Sequence, residues 1–226
     1  MVTHLAIKTD DSNSVLKIFD KYFSDNYGLG IGEIKIGGNE TPFTKGKKNF
    51  KDWRDYNERI GLIRINNNID INTDFELFFN LKDNKDWLVF LFYARRGFRG
   101  YFNENDYLKI AELISKEMKC DVIIHTYNDS TGYKVVHRFQ NGALLDEMEL
   151  DESEILVKKG YFENFADSIY GNTHDFAYKI YFPFLHKHSF YPDSEDFEII
   201  PTDSWRAFYL DGDINDLKKY LGRIIS

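Results

Sequence analysis

Trp87-Leu88-Val89-Phe90-Leu91-Phe92-Tyr93 is a continuous apolar run bounded by Asp86 and Arg95. It is too short for a core helix and rich in residues that favour extended backbone, so it reads as a central strand buried on both faces. Downstream, Asn105 is placed to cap a helix running to about Lys119. Its stripe is Tyr107, Ile110, Ala111, Ile114 and Met118, with Glu112 and Lys116 paired on the outside. Asp121 to Tyr127 then reads as a strand, Asn128 to Gly132 as a turn, and Tyr133 to Phe139 as a second strand. Asn141-Gly142 is a hairpin signal, because both residues tolerate positive φ, and it leads into a third strand from Ala143. A strand, a helix and a three-stranded meander over 87–150 define an α+β fold, with a mixed or antiparallel central sheet and a few flanking helices.

Outside this unit the signals are more local. Val15, Ile18, Phe19 and Tyr22 fall at helical spacing, so Ser14 to Phe23 reads as a short helix capped by Ser12 or Asn13. Gly32 to Ile36 and Gly61 to Asn66 read as strands, Pro42 to Lys51 as a basic loop, and Phe75 to Leu81 fits strand or helix alike. Tyr161 to Phe184 is aromatic-rich and partly helical, with a stop expected near Pro183. Trp205 to Leu210 reads as a strand. Asp213 is placed to cap a closing helix with Ile214, Leu217, Leu221 and Ile224 on one face. The chain reads as one domain, 1–226; the polar run Lys82 to Asp86 is the place to cut if there are two, 1–82 and 86–226.

The net charge of −8 disfavours non-specific nucleic-acid binding, which needs clustered cations to neutralise phosphates, and suits a basic partner or plain solubility. The longest apolar stretch, Trp87 to Ala94, is too short to span a bilayer. Met1-Val2-Thr3-His4-Leu5 lacks the features of a secretory leader. With Cys120 the single cysteine, no intramolecular disulfide is possible. The expectation is a reduced, cytoplasmic protein. Aromatic residues make up 17% of the chain, enough to place some rings on the surface as well as in the core.

Catalytic motifs fail on spacing. Gly28, Gly30 and Gly32 precede a strand and open no helix, so they do not form a dinucleotide fingerprint. Gly46-Lys47-Lys48 lacks the hydroxyl residue of a phosphate-binding loop. His186 and His188 with Asp193 and Asp196 have metal-ligand chemistry, but an exposed loop with scattered histidines explains them as well, and no metal or other cofactor is expected. Were Tyr127 to pair with Tyr133, His125 and His137 would share a sheet face diagonally; a slip of one residue would separate them. Cys120 follows a helix C-terminus, where the dipole disfavours a thiolate.

Two charge clusters remain. Arg95, Arg96 and Arg99 follow the buried strand and suit either an anion clamp or a solvated loop. Asp146, Glu147, Glu149, Asp151, Glu152 and Glu154 put six carboxylates into nine residues. They either deter edge-to-edge pairing of strands or form a docking face for a cationic partner.

The order of apolar strand, Arg-rich turn, helix Tyr107 to Met118, Asp121-Val122-Ile123-Ile124 and then Phe139-Gln140-Asn141-Gly142-Ala143-Leu144-Leu145-Asp146 resembles small cytoplasmic immunity proteins of bacterial polymorphic-toxin and contact-dependent inhibition systems. The resemblance implies an acidic, aromatic-rich, motif-poor α+β protein that blocks a toxin domain by binding it. Together with the net charge, the Asp146–Glu154 cluster and the aromatic excess, the expectation is a non-enzymatic protein that neutralises a basic toxin, such as a nuclease, through an acidic, aromatic-rich surface. Two rivals stand beside this expectation. One is a small enzyme with an Arg95/Arg96/Arg99 pocket and His125 or His137 as acid–base. The other is a regulatory module that assembles with itself through aromatic patches.

Overall fold

The strand in the middle of the sheet is the N-terminal one. In the computed structural model, which describes residues 2–28, 30–35, 75–80, 86–93, 104–127, 132–151, 154–165, 176–192 and 206–211, nine strands form one sheet. They are β1 (Val2–Lys8), β2 (Gly30–Lys35), β3 (Phe75–Asn80), β4 (Trp87–Tyr93), β5 (Asp121–Tyr127), β6 (Lys134–Gln140), β7 (Ala143–Asp151), β8 (Glu154–Lys159) and β9 (Arg206–Asp211). The order across the sheet is β2-β9-β3-β4-β1-β5-β6-β7-β8, and every described pairing is antiparallel. With the helices below, this is an α+β fold. Trp87 to Phe90 is buried, as its unbroken apolar run requires, with β1 on one side and β3 on the other.

One face of the sheet is covered by two amphipathic helices, α1 (Ser12–Tyr27) and α2 (Glu104–Met118). Alternate residues Leu5 and Ile7 of β1, Leu88 and Phe90 of β4, Val122 and Ile124 of β5, and Phe139 of β6 point to that side. They pack with Val15, Ile18, Phe19 and Phe23 of α1 and with Ile110, Ala111 and Ile114 of α2. The expected stripes therefore face the core. Helix α1 is longer than its apolar pattern suggests and is capped by Asp11, whose carboxylate accepts from the Ser14 N–H at 3.0 Å, instead of by Ser12 or Asn13. It ends on Gly28, whose φ of +66° suits a left-handed cap. Asn105 falls inside the first turn of α2 and does not precede it. The buried carboxylate of Asp106, in that turn, accepts from the Tyr22 and Tyr27 hydroxyls at 2.6 and 2.7 Å and ties the two helices together.

The other face is covered by the aromatic segment. Gly160–Asn164 forms a 3₁₀ turn, Ala177–Tyr181 a turn of π-helix, and Phe182–Lys187 a short helix, α3. Pro183 lies in the first turn of α3, which continues directly from the π-helical turn, so the helical run passes through the proline that was expected to stop it. Asn141 and Gly142 both have positive φ, 52° and 79°, and make the hairpin turn that the dipeptide implies. The meander also runs one strand further than expected, into β8. The closing helix expected after Asp213, the strand Gly61 to Asn66 and the loop Pro42 to Lys51 lie outside the described residues.

Candidate interaction surface

Period-two alternation sorts the acidic cluster onto two sides of β7. Glu147 pairs with His137 and Glu149 with Val135, on the side that carries α1 and α2. Glu147 and Glu149 are part-exposed and Asp151 is exposed, so the three form a row of carboxylates at every second position. The row is locally anchored. The Glu147 carboxylate lies 3.2 Å from His137 Nε2, and Glu149 accepts from the Tyr133 hydroxyl at 3.1 Å. Exposed Glu154, on β8, stands directly opposite Asp151. Two facing carboxylates repel, which blunts that end of the pair against further strand addition. Glu152 lies outside the described residues.

Asp146 does not belong to this row. Leu145 is an extra residue where β6 pairs with β7, because Arg138 faces Asp146 and Phe139 faces Leu144. The bulge turns Asp146 to the opposite face, where it is buried. There the Arg138 guanidinium spans two carboxylates, with Nη1 2.9 Å from Asp146 Oδ2 and Nη2 2.9 Å from Asp121 Oδ1. The second oxygen of Asp146 accepts from the Tyr161 N–H at 2.9 Å and so fastens the 3₁₀ turn to the sheet. Gly160, with φ of +63°, lets the chain pass: a Cβ there would come within 2.3 Å of the Leu145 carbonyl oxygen. Of the six clustered carboxylates, Asp146 has a structural job.

The histidine pair is separated. Tyr127 pairs with Lys134 and not with Tyr133, so His125 stands opposite Val136 and His137 opposite Ile124. That one-residue slip puts the two rings on opposite faces. His125 instead stacks on His4 of the neighbouring strand, ring centroids 5.4 Å apart and planes within 12°. The Tyr181 hydroxyl reaches the carbonyl oxygens of Thr126 and Val135 at 2.9 and 3.0 Å and also meets His125 Nδ1. One hydroxyl is thus shared among two backbone carbonyl oxygens and an imidazole nitrogen. A π-helical turn, uncommon in itself, brings Tyr181 to this point. Burial holds His4 down to about 3, and burial with the His4 ring beside it holds His125 well below the ordinary histidine value. Both are neutral structural rings under a protein cover.

The remaining candidates scatter. Burial, with Asp121 adding to it, pushes the Cys120 thiol up to about 11, the reverse of an activated nucleophile. His186 and His188 sit at the end of α3, where His186 stacks on Phe182 and His188 meets Phe184 edge-on. Among the described residues no three His, Cys, Asp or Glu side chains are grouped to hold a metal, and no helix is long and apolar enough to cross a membrane. Asp193, Asp196, Arg95, Arg96 and Arg99 lie outside the described residues. Comparison with protein families, curated proteins and solved structures found no match to this chain.

Sequence reasoning expected surface rings but did not locate them. Tyr178 is 54% exposed and Tyr191 42% exposed, at the two ends of a ladder that runs Tyr178–Phe182–His186–Tyr191 with centroid steps of 5.3, 6.4 and 4.9 Å. The signal was present as the i, i+4, i+8 spacing of Tyr178, Phe182 and His186.

Proposed function

We propose that this protein is a non-enzymatic binding protein of the immunity type, which neutralises a basic protein, such as a nuclease toxin domain, by holding it against the carboxylate row of β7. One observation carries the reading: Glu147, Glu149 and Asp151 project from one face of β7, where they remain part-exposed or exposed, with Glu154 beside them. Three carboxylates at strand spacing set up a local negative field, and complementary charge speeds the encounter with a cationic domain and fixes its register. Exposed Leu156 and Val157 on β8 lie next to the row and supply apolar area that a charged face alone lacks. The net charge of −8 adds long-range attraction for the same partner.

The product of the adjacent gene is the first partner to test. Calorimetric titration should give a complex of micromolar affinity or tighter that weakens as salt rises towards ~1 M, where screening is nearly complete. Replacing Asp151→Lys and Glu154→Lys together should slow association at least about tenfold, because rim charges act on the on-rate. A basic partner that binds both chains equally well, or no binding at micromolar concentration, overturns the proposal.

A further inference from the structure

The rings and the carboxylates, expected to share one surface, lie apart. The seventeen residues 143–159 contain six carboxylates and no aromatic residue, whereas the seventeen residues 176–192 contain seven Phe and Tyr and no carboxylate. The sheet separates them as well. The carboxylate row of β7 is on the α1–α2 side, while Tyr181 anchors 176–192 over His125 on the other. Exposed Lys179 and Lys187 follow the ladder residues Tyr178 and His186 in the chain, the Lys187 ammonium 5.3 Å from the Tyr161 ring centroid, so 176–192 presents rings and two cations in a protein of net charge −8.

We propose that these two surfaces bind each other between chains, the aromatic–basic surface of one copy seating on the β7–β8 surface of a second. Their chemistry matches in both respects. Lys179 and Lys187 answer Asp151 and Glu154, and the exposed rings of Tyr178 and Tyr191 answer exposed Leu156 and Val157, of which Leu156 is 55% exposed. Tyrosine over an aliphatic patch, with a charged rim, is the composition of a binding hot spot. Within one chain the two surfaces cannot meet, since the sheet stands between them. The contact is head-to-tail, so it joins unlike surfaces and leaves one of each open at the ends of the assembly. Strand addition at β8 is not the mode. Leu156 is an extra residue between Ile155 and Val157, and the bulge bends the edge away from a regular ladder.

The inference uses the carboxylate surface but not its basic partner, and the two readings fail separately. Self-association is read from sedimentation of the full chain between ~1 and ~100 μM, at low salt and near ~1 M, where charge pairs are screened. The expected result is a mass that climbs with concentration at low salt and falls back when salt is added. One variant carries Asp151→Lys with Glu154→Lys, the other Tyr178→Ser with Tyr191→Ser; each alone should associate at least about tenfold more weakly, the factor that corresponds to 1.4 kcal/mol. Mixed together, they retain one intact surface each, and the expected result is restored association that stops at two chains. The circular-dichroism spectra of both variants should match that of the parent. A parent that stays a single chain throughout overturns the proposal. So does association that neither variant weakens, or one that mixing fails to restore, which would indicate a symmetric contact of like surfaces.

Discussion

The β7–β8 end and the 176–192 segment both attach to the same antiparallel sheet, yet they are held by opposite chemistry. At β7, polarity is managed by charge: Arg138 spans Asp146 and Asp121, and part-exposed Glu147 and Glu149 are each anchored by a side chain of β6 or of the turn before it. In 176–192, apolar packing does the work. Phe182, Phe184, Leu185 and Phe190 are buried, and one hydroxyl, that of Tyr181, satisfies the backbone beneath. A carboxylate cluster and a ring cluster of equal length therefore make different demands. Charges tolerate exposure and need partners only when buried, whereas rings are driven inside until the layer is full and only the surplus shows.

Substitutions in the two regions should separate the two kinds of attachment. The largest effect should come from Arg138→Ala, which strands two largely buried carboxylates. About 3–5 kcal/mol of unfolding free energy should be lost in a denaturant titration, as for other broken buried ion pairs. Gly160→Ala should act on the same joint by pushing the 3₁₀ turn off the Leu145 carbonyl, visible as a lowered melting temperature.

Acid should probe the ring side next. His4 and His125 have depressed values in the folded protein, so unfolded chains bind protons that folded ones refuse. Stability is therefore full above the unfolded value of about 6.5 and declines as pH falls below it. For His4, with a folded value of about 3, the loss between pH 7 and pH 5 is about 2 kcal/mol. His125 adds in the same direction. His4→Phe should flatten the pH dependence of unfolding in that range; an unchanged slope would show that the ring is not buried neutral.

Tyr181→Phe should cost about 1–3 kcal/mol, since the Thr126 and Val135 carbonyls and the His125 ring lose one shared partner. Smallest is the exposed pair. Asp151→Lys with Glu154→Lys should move stability by no more than about 0.5 kcal/mol in either direction, because two facing ammonium groups replace two facing carboxylates and the repulsion across β7–β8 is exchanged, not relieved. If that variant unfolds as readily as Arg138→Ala, the row is structural and the contrast between the two regions fails.

Much of the scaffold was legible because pattern and burial agree locally. The run Trp87 to Tyr93, the stripe of α2 and the Asn141-Gly142 turn each carry their own signal, and each forms as read. The central strand β1 was not legible. Val2 to Lys8 mixes polar and apolar residues without a turn signal, and only its two neighbours, β4 and β5, make it a strand. The candidate surface was half-legible: six acids mark the place, but a bulge at Leu145 decides which of them face solvent.

By itself, then, the sequence determined the α+β class, the amphipathic helices and the carboxylate-rich segment, all of which follow from composition and period within a few residues. Only the tertiary structure decided strand register, the burial of Asp146, the stacking of His4 on His125 and the separation of rings from charges by the thickness of a sheet. The burial of Asp146 depends on one bulged residue between β6 and β7, and the stacking of His4 on His125 on the register of β1 and β5, which are distant in the chain. Side chains alternate with a period of two, so a slip of one residue reverses the face of every residue beyond it.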